Sequence, residues 1–210
     1  MTREPTAAVR AAYDRLAGRY DRRWRRYLEA SVRETLARTP VPADGRVLDA
    51  GCGTGLLLAT LHAGAPHARL FGLDLSTAML ARARERLGTA AALVAGDVEA
   101  PPFRDAAFDL VVSTSSLHYW TRPERGLAAI HALLRPGGVL VLTDWAADYL
   151  ACRILDRVLR RVDPAHRRVY GTAELAPLLD GAGFDVASLE RYRIGWPWGL
   201  MTAVAVRRPA

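Results

Sequence analysis

The 210-residue chain contains no lysine, no asparagine and no glutamine. Its 29 strongly basic residues are therefore all arginine, set against 22 acidic residues for a formal net charge of +7. Without lysine there is no Walker-type phosphate loop and no Schiff-base amine. Without asparagine there is no Asn-X-Ser/Thr glycosylation acceptor. All three missing residues have codons beginning with AA or CA, whereas Ala, Arg, Gly and Leu abound. The basic balance therefore reads as a bias towards GC-rich codons rather than as the footprint of a nucleic-acid binder. Cysteine is scarce too. Cys52 and Cys152 lie far apart, with neither a disulfide framework nor metal-ligand spacing. No apolar run approaches the ~18 residues of a membrane span, and the opening Met-Thr-Arg-Glu-Pro lacks the apolar core of a signal peptide. These absences lead us to expect a cytoplasmic protein with reduced thiols.

What is present suits a folded domain: 50% hydrophobic and 24% charged residues, too apolar for disorder. Residues 6–38 read as helical, with Tyr13, Leu16, Tyr20, Trp24, Tyr27 and Leu28 spaced three or four apart and arginines opposite. Pro40, Pro42 and Asp44-Gly45 then break the chain. Short strands are expected at 47–50, 69–73, 91–95, 108–113, 139–143, 184–193 and 201–207. Helices are expected at 56–63, 77–87 and 124–134. The first five strands are apolar without alternation, as in a parallel sheet covered on both faces. Strand–helix alternation makes an open α/β sheet, which binds ligands at the carboxyl ends of its strands.

The segment Val47-Leu-Asp-Ala-Gly-Cys-Gly-Thr-Gly55 runs an apolar strand into three alternate glycines and then a helix. Glycines allow positive φ and let backbone N–H groups approach a ligand. The nicotinamide fingerprint would need Gly or Ala at position 56, which is Leu56. Asp49 precedes the loop and Asp74 ends the next strand, near the ~20-residue offset at which an acid takes ribose hydroxyls. Asp97 follows the third strand in Ala95-Gly-Asp-Val-Glu-Ala-Pro-Pro102. Three acids at adjacent strand ends suit a ligand with a ribose, an exocyclic amine and a positive charge, and would repel a pyrophosphate. Each is also a residue type that caps a helix or a turn.

On these segments, together with 108–120 and Leu134-Arg-Pro-Gly-Gly-Val-Leu-Val-Leu-Thr143, the sequence resembles the class I S-adenosylmethionine-dependent methyltransferases, small-molecule branch. The resemblance spans roughly residues 10–206. It implies an α/β, Rossmann-like, doubly wound seven-stranded sheet of order 3-2-1-4-5-7-6 with strand 7 antiparallel. One methyltransferase domain would then fill 1–210: lid helices at 1–40, a cofactor-binding core at 41–143, a cap insert and last helix at 144–182, and terminal strands at 183–210. S-adenosylmethionine is the implied cofactor. Gly51, Cys52, Gly53 and Gly55 would lie against its methionine portion, with Asp49 orienting loop and amine. Asp74 would hold the ribose hydroxyls, with Leu75 and Met79 along the adenosine. Asp97 would take the adenine amine beside Val98. Ser113 and Ser115 would approach the methionine amine. In this branch a lid tyrosine reaches the methionine carboxylate; Tyr20 is the candidate, although Tyr13, Tyr20 and Trp24 also fit one packed helix face.

A base is needed only when the methyl acceptor carries a proton. In Ser113-Thr-Ser-Ser-Leu-His-Tyr-Trp120, His118 sits where the branch often has a histidine facing the transferred methyl; it is either a base or a wall of the pocket. The Asn/Asp-Pro-Pro-Tyr/Phe motif of nucleobase-amine methylation is absent. Asp144, at the end of the fifth strand, joins His118 as a catalytic candidate. Tyr119, Trp145, Tyr149, Tyr170 and Trp196 are the candidate substrate walls, with Trp198 beside them, although the tryptophans could equally pack the cap. Residues 150–162 carry an apolar stripe with Arg153, Arg157, Arg160 and Arg161 opposite. That is a solvated face, or a contact for an anionic acceptor or a membrane surface. His62, His67 and His131 look like ordinary surface or helix residues, and no metal is expected. The expected partner is a small-molecule substrate, with no nucleic acid and a monomer or homodimer. A cofactor-binding protein without turnover, and an RNA or protein methyltransferase, are the other readings.

Overall fold

The computed structural model describes residues 4–208. Five parallel-paired strands build the centre: β1 (Arg46–Ala50), β2 (Arg69–Asp74), β3 (Ala91–Ala95), β4 (Phe108–Thr114) and β5 (Leu134–Trp145). At one edge β6 (Phe184–Arg193) and β7 (Gly199–Arg207) form a hairpin, and β7 pairs antiparallel with β5. The resulting order is β3-β2-β1-β4-β5-β7-β6. The reversal of direction on either side of β1 and β4 opens a crevice at their carboxyl ends, the usual ligand position in such sheets.

Helices cover both faces: α1 (Glu4–Leu16), α2 (Tyr20–Leu36), α3 (Leu56–Gly64), α4 (Thr77–Leu87), α5 (Pro123–Leu133), α6 (Leu150–Val162) and α7 (Thr172–Gly181). The period-2 geometry of the strands divides their side chains between two cores. Val47, Leu110, Val112 and Val141 face one core with Leu58 and Leu80 of α3 and α4. Leu48, Val111, Leu140 and Leu142 face the other with Leu127 and Ile130 of α5 and Leu175 and Leu179 of α7. Burial on both faces is why these strands lack alternation in sequence.

Two local readings differ from expectation. The helical stretch at 6–38 is two helices, broken at Ala17–Arg19, where Gly18 lowers the cost of leaving the helix. The break lets α1 cross to α4 while α2 runs over β4 and β5. The fifth strand begins at Leu134 rather than 139, because the Pro-Gly-Gly segment continues the extended chain directly from α5, with a register shift against β4. No helix among the described residues is long and apolar enough to cross a membrane.

Candidate active site

The loop after β1 begins the site. Gly51 and Gly53 adopt φ of 88° and 51°, where a Cβ is strained. A Cβ on Gly51 would meet Ser116 Cβ at 2.9 Å, whereas a Cβ on Gly53 would meet nothing within 4 Å. Gly51 thus lets two loops close on each other, and Gly53 borders open space. Gly53 N–H donates to Asp74 Oδ2 at 2.8 Å, and Ser76 N–H donates to Asp74 Oδ1 at 2.8 Å. Each carboxylate oxygen keeps a lone pair for a ligand. Burial raises the Asp74 carboxyl above its ordinary range, against the pull of those two backbone bonds.

Asp49 lies behind this loop, 2% exposed. No cation or hydrogen-bond donor among the described residues compensates it, and burial plus the like charge of Asp74 push its pKa up to about 8. A buried carboxyl in this state calls for a positive group to be supplied from outside. Asp97 stands after β3, its Oδ1 accepting from Glu99 N–H at 2.9 Å. Asp74, Leu75, Asp97 and Val98 line one cavity with Gly51, Gly53, Ser115, Tyr20 and Tyr119.

The roof of that cavity is the face of α1 bearing Thr6, Val9, Arg10 and Tyr13. It is held down by polar contacts to the core. Arg10 Nε donates to Leu75 O at 3.1 Å, and Ser76 Oγ donates to Asp14 at 2.5 Å. At the start of α2, Thr54 Oγ1 donates to Asp21 at 2.7 Å, and Arg86 pairs with the same carboxylate at 2.5 Å. Tyr13 packs between Tyr20, tilted at 58° with centroids 5.8 Å apart, and Tyr119, edge-on at 86° and 5.3 Å. Burial pushes the Tyr20 phenol up to about 12, so it is a neutral donor at working pH.

A second cluster lies beyond Tyr119, at the ends of β4 and β5. His118 Nδ1 is 2.6 Å from Asp144 Oδ1, and His118 N–H donates to Asp144 Oδ2 at 3.0 Å. One carboxylate therefore fixes both the ring and the backbone of His118, and favours the tautomer protonated at Nδ1. The imidazole stacks on Trp145 at 4.5 Å and 15°, and lies 4.1 Å from the Tyr119 ring. Trp145 Nε1 donates to Tyr27 OH at 2.7 Å, and Tyr27 OH is 2.6 Å from Ser115 Oγ. Ser115 itself holds φ of 57°, an uncommon conformation for a side-chain-bearing residue.

Several expected site residues do not line the cavity. Met79 is fully buried on the inner face of α4 with Leu80 and Ala83, so its side chain belongs to the core. The Cys52 thiol is turned inward, so close to Gly72 that a Cβ there would lie 2.8 Å from it. Gly55 makes room for Ala83 and Leu87. Ser113 Oγ donates to Ala50 O at 2.7 Å and so ties β4 to β1. His118, Asp144 and Trp145 form the buried layer behind Tyr119. Tyr149 covers Gly199 under Arg193, and Tyr170 is half-buried beneath Arg168. Trp196 is 85% exposed at the β6–β7 turn, which removes it from any pocket wall.

Other residues lie at or near the site, of which Tyr13 is read from the sequence only as a lid or packed-face residue. Thr6, Val9, Arg10 and Tyr13 recur at helical spacing, a signal that could have found them. Tyr27 and the Asp156–His166 pair (Nε2 to Oδ1, 2.9 Å) depend on tertiary contacts with no local signature. His166 Nδ1 is buried without a partner and its ring lies 5.5 Å from that of His118; burial holds its pKa below the ordinary value. Among the described residues no three His, Cys, Asp or Glu side chains converge to hold a metal.

A glycine loop, three strand-end acids and this strand order define the class I methyltransferase architecture. The model of a methyltransferase domain family matches residues 48–142. A trans-aconitate 2-methyltransferase of Paracidovorax citrulli is 36% identical over 82% of this chain and 62% of its own. A malonyl-[acyl-carrier protein] O-methyltransferase of Enterobacter lignolyticus is 38% identical over 68% of this chain and 55% of its own. The chain thus spans less than two thirds of the length of either relative. In fold, it superposes with TM-score 0.84 on a chain from the complex of a Haloferax volcanii methyltransferase with the Trm112 activator, at 24% identity, covering 96% of this chain and 98% of that one. A SAM-dependent methyltransferase of Thermotoga maritima gives 0.78 at 21% identity, covering 95% of this chain and 100% of that one. The chain belongs to the class I S-adenosylmethionine-dependent methyltransferase family.

Proposed function

We propose that this chain transfers the methyl group of S-adenosylmethionine to a small-molecule acceptor, releasing S-adenosylhomocysteine. The observation that carries this reading is the buried Asp49 without a compensating cation, beside a ribose-ready Asp74 and a glycine loop bordering open space. When bound, the cofactor supplies an electrophilic methyl on a sulfonium. Asp74 accepts from its ribose hydroxyls, Asp97 from the adenine amine, and Leu75 and Val98 pack along the adenosine. Asp49, ionised by the incoming positive charge, orients the ammonium through the loop of Gly51 and Gly53. Tyr20 donates to the methionine carboxylate, and Ser115 borders the methionine end. The α1 roof excludes water.

On the acceptor side, His118 takes the proton of an O–H, S–H, N–H or activated C–H acceptor through Nε2, while Asp144 holds the imidazole by Nδ1 and stabilises the cation that forms. Tyr119 supplies aromatic surface, backed by the His118 ring stacked on Trp145, which favours a planar or apolar acceptor. The two curated relatives are named for acidic acceptors, and a carboxylate would need no base. Among the described residues Arg10 is the cation that lines the cavity, and its Nε is committed to Leu75 O. The buried His118–Asp144 pair therefore favours an acceptor that must lose a proton. On this reading the enzyme is cytoplasmic, and its reaction involves neither metal nor nucleic acid.

Incubation with methyl-labelled S-adenosylmethionine and a panel of phenols, thiols, amines and carboxylic acids tests the proposal. It predicts label transfer with stoichiometric S-adenosylhomocysteine. Tight cofactor binding with no turnover across the panel would favour a non-catalytic cofactor-binding protein instead.

A further inference from the structure

Exposed apolar side chains are concentrated in one place. Among the described residues, the exposed large hydrophobics are Leu150, Ile154, Val158 and Val162 of α6 and Trp196 of the β6–β7 turn. The first four recur at every fourth position and so form one stripe along the helix. Beneath them, Leu155 and Leu159 join one cluster with Ile194 and Trp198, and Cys152 Sγ lies 3.9 Å from Pro197 O, which sets α6 beside the hairpin turn that bears Trp196. Arg153, Arg157 and Arg161 flank the stripe with no acidic partner among the described residues, whereas Arg160 reaches Asp156 at 3.9 Å. On the other side of Trp198, Arg22, Arg23 and Arg26 of α2 line a shallow depression with Trp24.

We propose that this face docks on an anionic phospholipid bilayer. α6 lies in the interfacial plane with Leu150, Ile154, Val158 and Trp196 at the acyl boundary, and the flanking arginines meet the lipid phosphates. An amphipathic helix with aliphatics on one flank, arginines on the other and a tryptophan beside it is suited to that interface. Charge complementarity selects the occupant: a second copy on this face would oppose arginine to arginine, whereas an anionic surface neutralises them. The inference stands independently of the methyl-transfer reading.

Co-sedimentation of the full chain with vesicles tests it, comparing equimolar phosphatidylglycerol and phosphatidylcholine with phosphatidylcholine alone. Wild type is expected to pellet with the anionic vesicles and far less with the neutral ones. Combining Ile154→Ser, Val158→Ser and Trp196→Ser should lower the partition coefficient by roughly tenfold or more. Combining Arg153→Ser, Arg157→Ser and Arg161→Ser, or raising the salt, should lower it by about fivefold or more. All six side chains lie on the outer face of α6 or at the hairpin turn, so an unchanged circular dichroism spectrum is expected and serves as the control for folding. Absence of binding to anionic vesicles overturns the proposal, as does equal binding by wild type and the apolar triple variant. A dimer seen by sedimentation equilibrium and dissolved by the apolar triple variant also overturns it, because the face would then be covered by a second copy.

Discussion

The two halves of the crevice are built from different material. At the ends of β1, β2 and β3 the polar groups are backbone N–H groups and three acids, each one or two residues from a glycine or a strand terminus. At the ends of β4 and β5 they are buried side chains from distant segments: His118 on Asp144, Trp145 on Tyr27, and Tyr27 on Ser115. The first arrangement is local, set by backbone conformation within a few residues of each strand end. The second is assembled by tertiary packing and can change its wall residues without disturbing the first.

Separate failure is what this division predicts. The largest effect belongs to the acceptor half. His118→Ala should cut turnover by roughly 10²–10⁴-fold, the usual worth of a positioned base. Cofactor affinity measured by calorimetry should stay within about threefold, since His118 does not line the cofactor cavity. Parallel loss of affinity and rate would break the division.

The next effect belongs to Asp49. Its folded pKa of about 8 lies above the ordinary carboxyl value of 3.8, so the folded empty protein holds this proton more tightly than the unfolded chain. The stabilising contribution is full at acid pH and is lost as pH rises between those two values. Binding a cationic ligand favours the ionised form, so affinity should strengthen as pH rises towards 8, by up to about tenfold per unit. Titrations in buffers of different ionisation enthalpy should reveal proton release, and Asp49→Asn should abolish it.

A smaller effect joins the halves. Tyr27→Phe removes the hydroxyl bonded to both Ser115 and Trp145, which should cost about 1–2 kcal/mol of stability. Thermal denaturation should show a Tm lower by roughly 4 °C, with cofactor affinity nearly unchanged. Trp196→Ser, at an exposed turn, should move neither quantity measurably.

The same division explains what could be read from the sequence. The strands, the glycine loop and the placing of Asp49, Asp74 and Asp97 at strand ends are legible because each depends on backbone conformation and short spacing, whereas the strand order follows from the family resemblance and not from spacing. The family resemblance implies Met79 and Ser113 as site residues. Their side chains instead complete the core and the β1–β4 junction, an outcome set by which way each rotamer points. Tyr149, Tyr170 and Trp196 were expected as walls because aromatic residues suit a pocket. The cap packs the first two under Arg193 and Arg168 and leaves the third outside. The Tyr27 and His166 contacts were illegible, since they join residues whose proximity follows only from the assembled fold.

The central claim is that the acid-and-glycine half holds S-adenosylmethionine. Calorimetric titration of wild type and Asp74→Ala with S-adenosylhomocysteine tests it most directly. The account predicts saturable one-to-one binding to wild type and a loss of about hundredfold or more in the variant, which forfeits charge-assisted bonds to the ribose and the anchor of the Gly53 amide. No binding to wild type, or equal affinity for the two proteins, would contradict it.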